Sequence, residues 1–213
     1  MRTDELVSLL ATGEGTVERN VVASRYAAAI VLGLIAANLL MLGLLGVRTD
    51  LTAAIRLPMF WGKLGYAGCL AAASLMAVLR LSRPGARLDW VPTALAAPVL
   101  LMWALAAIAL ADAEPALRAG LLFGATWAKC PFLIAMLSVP VFAATLWAMR
   151  GLGPTRLRLA GAAAGLLSGT VGALVYSLHC KELEAPFIGT WYLLGMLIPA
   201  AVGALLGRRM LTW

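Results

Sequence analysis

Two cysteines and a histidine carry most of the chemistry this chain can offer. Cys130 stands in Lys129-Cys130-Pro131, and His179 and Cys180 are adjacent in Leu178-His179-Cys180. His179 is the only histidine in the sequence. Two thiols brought together can form a reversible disulfide, or as thiolates they can hold a soft metal ion such as zinc, copper or cadmium, with His179 as a third ligand. Lys129 beside Cys130 would favour its thiolate in either case. An inert structural pair is the third reading. Two separated single cysteines are a weaker metal signal than C-x-x-C pairs, so spacing alone leaves the three open. A third cysteine, Cys69, lies midway along an apolar stretch among Gly68, Leu70 and alanines, where a small buried packing role is expected.

Other chemistry is scarce. The sequence has no phosphate-binding loop and no paired carboxylates, and no nucleophile stands within reach of His179. Ser168 and Gly169 lie three turns away on the same predicted helix. Catalysis is therefore not expected, and neither is a cofactor beyond such a soft metal ion. On the residues alone, a small membrane thiol-redox or metal-handling protein stands as an alternative to a sensor.

The elements that must position these residues are membrane spans. The chain has 213 residues, of which 62% are hydrophobic and only 13% charged. Soluble domains carry about 25% charged residues. Six apolar stretches, Tyr26–Val47, Met59–Leu81, Trp90–Ala111, Cys130–Met149, Leu157–Leu178 and Phe187–Leu206, each approach the ~20 residues a spanning helix needs. In lipid the backbone must satisfy its own hydrogen bonds, so these are helices. The expected fold is all-α: a polytopic bundle of six transmembrane helices whose short connections make neighbouring spans antiparallel. No cleavable signal peptide is visible, because the first 25 residues are polar and mixed in charge.

Basic residues orient the bundle. Arg2, Arg19, Arg25, Arg80, Arg83, Arg87, Arg150, Arg156, Arg158, Arg208 and Arg209 fall on one side, and Arg48, Arg56, Arg118, Lys129 and Lys181 on the other, eleven against five. Both termini are therefore expected in the cytoplasm, and in a bacterium Cys130 and Cys180 face the oxidising periplasm, where disulfides persist. Compartment thus favours the disulfide. Lys63, inside the second span near its outer end, is expected to snorkel outward. The net charge of +7 is spread along membrane edges, which suits contact with anionic lipid and gives no basic module for nucleic acid.

Three parts follow: a cytoplasmic tail 1–25, a six-helix domain 26–207 and a cytoplasmic end 208–213. Thr3 to Ala11 reads as a short amphipathic helix, with Thr3 as N-cap, Asp4 and Glu5 at the positive end of the helix dipole, and Leu6, Leu9 and Leu10 on one face beside Val7. Thr12-Gly13-Glu14-Gly15 then reads as a hinge. So short a helix is marginal alone, and its leucine face needs a partner; helix-in-groove recognition favours a protein over anionic lipid. Thr49–Leu57 and Glu114–Trp127 read as short interfacial helices. Gly161, Gly165 and Gly169, with Gly195, Gly203 and Gly207, suit close helix packing inside the bundle and leave a homodimer open. Pro92, Pro98, Pro140 and Pro199 are expected to kink their spans. Asn38, Ser74, Thr145 and Ser168 are expected to bond back to helix carbonyls.

The run CPFLIAMLSVP from Cys130, the stretch LRLAGAAAGLLSGTVGALVYSLHCKELEAPFIGTWY, the ending GALLGRRMLTW and the opening TDELVSLLA together resemble the NrsF-like family of six-span bacterial membrane anti-sigma factors. The family usually has a proline after the second cysteine, where this chain has Lys181. The resemblance implies that the protein sequesters an extracytoplasmic-function sigma factor at the bacterial inner membrane and releases it under oxidant or heavy-metal stress. It implies sensing at two periplasmic-side cysteines, which fall on Cys130 and Cys180, and sigma binding by the tail over Thr3–Leu10.

Overall fold

The computed structural model describes residues 3–5, 7–8, 21–83, 85, 87–150 and 152–211. Among these there is no strand. Six helices are long and apolar enough to cross a membrane: α1 (Val21–Leu44), α3 (Pro58–Leu81), α4 (Val91–Asp112), α6 (Cys130–Arg150), α7 (Leu157–Tyr176) and α8 (Ala185–Met210). Two short helices, α2 (Leu51–Ala54) and α5 (Pro115–Phe123), fill the connections where interfacial helices are predicted. Proline at the first turn starts α3, α4, α5 and α8, where its missing N–H costs nothing.

The predicted spans hold to within a few residues. The main differences are that α1 starts at Val21 rather than Tyr26, and that α8 runs from Ala185 to Met210. The earlier start of α1 is supported by Arg25, whose guanidinium lies 4.8 Å from the centre of the Trp147 ring. Pro98, Pro140 and Pro199 sit inside helices, whereas Pro92 opens α4 and kinks nothing. In the tail, Thr3, Asp4, Glu5, Val7 and Ser8 are helical and exposed. Thr3 is thus within the helix rather than capping it. Leu6, Leu9, Leu10 and the 12–15 hinge lie outside the described residues.

The buried centre is α7. In its most apolar stretch 78% of residues are buried inside the protein, against 11% for α4, which leaves α4 mostly to lipid. Around α7 pack α8, α6 and α3; α1 lies mainly on α6, and α4 on α3 and the start of α8. The α7–α8 contact uses the predicted glycines. A Cβ on Gly161 would collide with the Gly203 carbonyl, and one on Gly165 with the Pro199 carbonyl; at Gly169 it would sit 2.6 Å from the Met196 carbonyl. Gly172 faces Ile134 of α6 in the same way, and Gly33 brings α1 against Val141. These rows are consumed within the bundle. Gly165→Ala is accordingly expected to destabilise by about 1–3 kcal/mol through overpacking. Gly68→Ala, with open space around it, should be neutral or mildly stabilising. Unfolding midpoints in a detergent titration would separate them, and equal midpoints would count against a backbone-contact interface.

The intramembrane hydroxyls and amide behave as expected. Asn38, Ser74 and Thr145 bond to the carbonyl one turn back, at 2.8, 2.6 and 2.7 Å, and Ser168 bonds to Gly165 at 2.8 Å. Cys69 differs from expectation: it is exposed rather than buried.

Candidate thiol site at one end of the bundle

α6 begins at Cys130, and α7 ends at Tyr176 with a closing turn that leads to Cys180, so antiparallel packing brings both cysteines to one end. The turn is set by His179 N–H and Cys180 N–H donating to the Tyr176 carbonyl at 3.0 and 2.9 Å. Both thiols are free, and both are buried, at 0% and 2% exposure. Tyr176 lies beside both sulfurs. Tyr192 lies beside Cys180. Its buried hydroxyl makes no hydrogen bond of good geometry among the described residues. Tyr192 reaches this position through a π-helical turn at Ile188–Tyr192, where Trp103 Nε1 donates to the Gly189 carbonyl at 2.9 Å.

Lys63 does not snorkel. From the second turn of α3 its side chain points inward, with no exposed surface. Nζ donates to the carbonyls of Cys180 and Glu182, each at 3.0 Å, and lies 4.7 Å from the centre of the Tyr192 ring. The physical reason is that the connection after Cys180 folds over the bundle end and offers carbonyls closer than the headgroup region. Lys129, the cation expected to act on Cys130, is exposed. The lysine buried at this end of the bundle is Lys63, on the Cys180 and Glu182 carbonyls.

Arg48, from the α1–α2 connection, is the second buried cation. Its Nη1 donates to the Cys180 carbonyl at 3.2 Å, while Nε and Nη2 grip the Asp50 carboxylate at 2.8 Å each. This fork holds the Asp50 carboxyl down to about 2, so the carboxylate remains charged and bound at any ordinary pH. The Arg48 backbone N–H adds a bond to Leu178 at 3.0 Å. Glu182 ties the other side. Its Oε1 accepts from the Ala125 N–H at 2.9 Å, and so joins the Cys180 connection to the turn before Cys130. Gly124, at φ 52°, is the residue that allows this approach: a Cβ there would meet the carboxylate at 2.8 Å.

His179 is directed elsewhere. Its Nδ1 pairs with the Gly46 carbonyl at 2.9 Å, which assigns the proton to Nδ1, and its ring lies 5.7 Å from Tyr176. The expected metal set of Cys130, His179 and Cys180 is therefore not assembled. Among the described residues no three His, Cys, Asp or Glu side chains converge as ligands. Adjacent residues on a turn splay apart, so sequence adjacency to Cys180 did not make His179 a co-ligand. Asp4 and Glu5 are exposed in the tail, and Leu6, Leu9 and Leu10 lie outside the described residues.

The side chains around the thiols that sequence reasoning did not place there are Lys63, Arg48, Asp50, Glu182, Tyr176 and Tyr192. Only Lys63 carried a usable signal, because an ionisable residue within a span is rare unless it has a role. A crevice of about 450 Å³ at the other end of the bundle is lined by Arg80, Arg83, Arg87 and Asp89 and contains none of the thiol-site residues.

Fold and site together define a six-helix membrane-type protein with a buried, cation-held pair of free thiols at one end. The family described as "Negative regulator of sigma F" (NrsF) matches residues 10–213. A protein of Azospira oryzae, named "Probable anti-sigma-F factor NrsF", is 64% identical over 213 residues, covering the whole of both chains. The "Anti-sigma-F factor NrsF" of Caulobacter vibrioides is 43% identical over 217 residues, again covering both chains fully. No solved structure matches. The chain belongs to the NrsF family.

Proposed function

We propose that this protein is a membrane anti-sigma factor that holds an extracytoplasmic-function sigma factor at the bacterial inner membrane. The observation that carries this reading is full-length identity of 64% to a relative named as a probable anti-sigma-F factor, a match that includes the tail as well as the bundle. The input in this reading is Cys130 and Cys180, facing the periplasm. Oxidation takes two electrons and two protons from the two thiols, passes them to a peroxide-class oxidant and forms one S–S bond. A soft heavy-metal ion would instead replace the thiol protons. The output is the tail, where exposed Asp4 and Glu5 meet basic residues of the sigma factor and Leu6, Leu9 and Leu10 enter its groove.

The orientation rests on the distribution of basic residues, and the input site on the convergence of two buried thiols with Lys63 and Arg48. The direct test is co-purification. Membranes carrying the full chain should retain the extracytoplasmic-function sigma factor co-expressed with it, and reductant-washed oxidant treatment should be reversible. A sigma factor that stays wholly in the soluble fraction would sink the proposal.

A further inference from the structure

The crevice at the end away from the thiols is basic and opens onto an apolar groove. Arg80, Arg83 and Arg87 line it with Asp89 as the one carboxylate, so positive charge is in excess. Asp89 accepts from Arg80, which also donates to the Arg87 carbonyl at 3.0 Å and lies 5.5 Å from the centre of the Trp90 ring. Arg83 and Arg87 are exposed, and among the described residues Arg83 has no carboxylate in ion-pair contact. Met76 lines this crevice and also a cavity of about 280 Å³ between α3 and α4, where it meets Cys69, Ala72, Trp90 and Ala94. The α7 glycines are filled by their neighbours, but a Cβ on Gly65 or Gly68 would meet nothing within 4 Å. The groove explains why Cys69 is exposed rather than packed. From Arg80 back to Cys69 the helix rises about 16 Å, roughly half of a ~30 Å hydrocarbon core. One acyl chain reaches that far from a headgroup in the leaflet at this end.

We propose that the α3–α4 groove holds one anionic phospholipid of the phosphatidylglycerol class, with its phosphate on Arg83 and Arg87 and one acyl chain lying past Met76 to Cys69. Guanidinium groups take phosphate oxygens in paired, charge-assisted hydrogen bonds. A zwitterionic headgroup would bring a cation of its own to a crevice already in positive excess, which selects against it. Trp90, half-exposed beside Arg80, suits the boundary between headgroup and chain. The site uses neither the thiols nor the tail, so it stands or falls apart from sigma-factor capture.

The test places the full chain in phosphatidylcholine vesicles with a small fraction of phosphatidylglycerol that carries a diazirine halfway along one acyl chain. Illumination attaches the probe to what it touches, and mass spectrometry locates the adducts. In the wild type they are expected on α3 between Cys69 and Met76 and at Ala94 of α4, about tenfold above a phosphatidylcholine probe with the same chain. Arg83→Gln combined with Arg87→Gln should bring the yield to within about twofold of the phosphatidylcholine probe. Ala72→Phe, at an exposed position, should block the chain with every charge kept. Arg56→Gln combined with Arg118→Gln, at the thiol end, should leave the labelling unchanged. Millimolar inorganic phosphate should also leave it in place, because the chain contributes as well as the charge. Equal labelling by the two lipids overturns the proposal, as do adducts spread evenly over the lipid-facing helices, indifference to the arginine pair, or displacement by inorganic phosphate.

Discussion

Deleting residues 1–11 is expected to abolish sigma-factor capture while leaving the six-span bundle in the membrane. The helix–helix packing among the described residues begins with α1, and the described residues of 1–11 are all exposed, so the deletion leaves that packing in place. Thr3, Asp4, Glu5, Val7 and Ser8 are helical and exposed. Burying Leu6, Leu9 and Leu10 in a groove would contribute roughly 1.5–3 kcal/mol each. Ordering the tail removes part of that. Since each 1.4 kcal/mol is about tenfold in affinity, the remainder still separates firm capture from none at cellular concentrations. Replacing the three leucines by alanine should weaken capture by more than about a hundredfold, and the effect should not vanish in high salt, because the lost term is apolar. Pull-down from washed membranes measures the deletion, and a binding titration measures the alanine variant. Unchanged capture by the deleted chain would move the interface to the arginine-rich connections around Arg80–Arg87.

The two outcomes differ in how much of their basis was readable in advance. The spans were legible because about twenty apolar residues in a row admit one backbone solution in lipid. The shared end of Cys130 and Cys180 was legible too, because one opens a span and the other closes the next. What the spans bury was not. α3 is apolar along most of its length, so its bundle and lipid faces look alike in sequence around Cys69, and Cys69 could not be placed on either side. Lys63 near a helix end reads as snorkelling until the Cys180–Glu182 carbonyls are seen above it, and those come from residues more than a hundred positions away. Arg48 counted only as one charge among five, whereas it is buried and forked onto Asp50. The π-helical turn that sets Tyr192 beneath Lys63 has no sequence signal of its own in this chain.

Cys130→Ser and Cys180→Ser are each expected to abolish release of the sigma factor by oxidant or soft metal ion without loosening capture in the resting state. Serine keeps the shape but cannot share an S–S bond, and it is a poor ligand for a soft ion. In the proposed reading, a change at the thiols would act on the tail through α1. The Cys180 carbonyl is gripped by Lys63 of α3 and by Arg48, and the Arg48 backbone N–H bonds to Leu178. Gly46, two residues before Arg48 and just beyond α1, accepts from His179. In the proposed reading, movement of the 178–182 segment would reach the end of α1 through these contacts, and the other end of α1 leads to the tail. Only about 1.4 kcal/mol of coupling is needed for a tenfold change in sigma affinity, comparable to one buried charge-assisted hydrogen bond. A reporter driven by the sigma factor should show induction reduced to within about twofold of background in each variant, which corresponds to a coupling near zero. A full response in both would return the cysteines to a packing role and leave the Lys63 and Arg48 clamps as structural props of the bundle end.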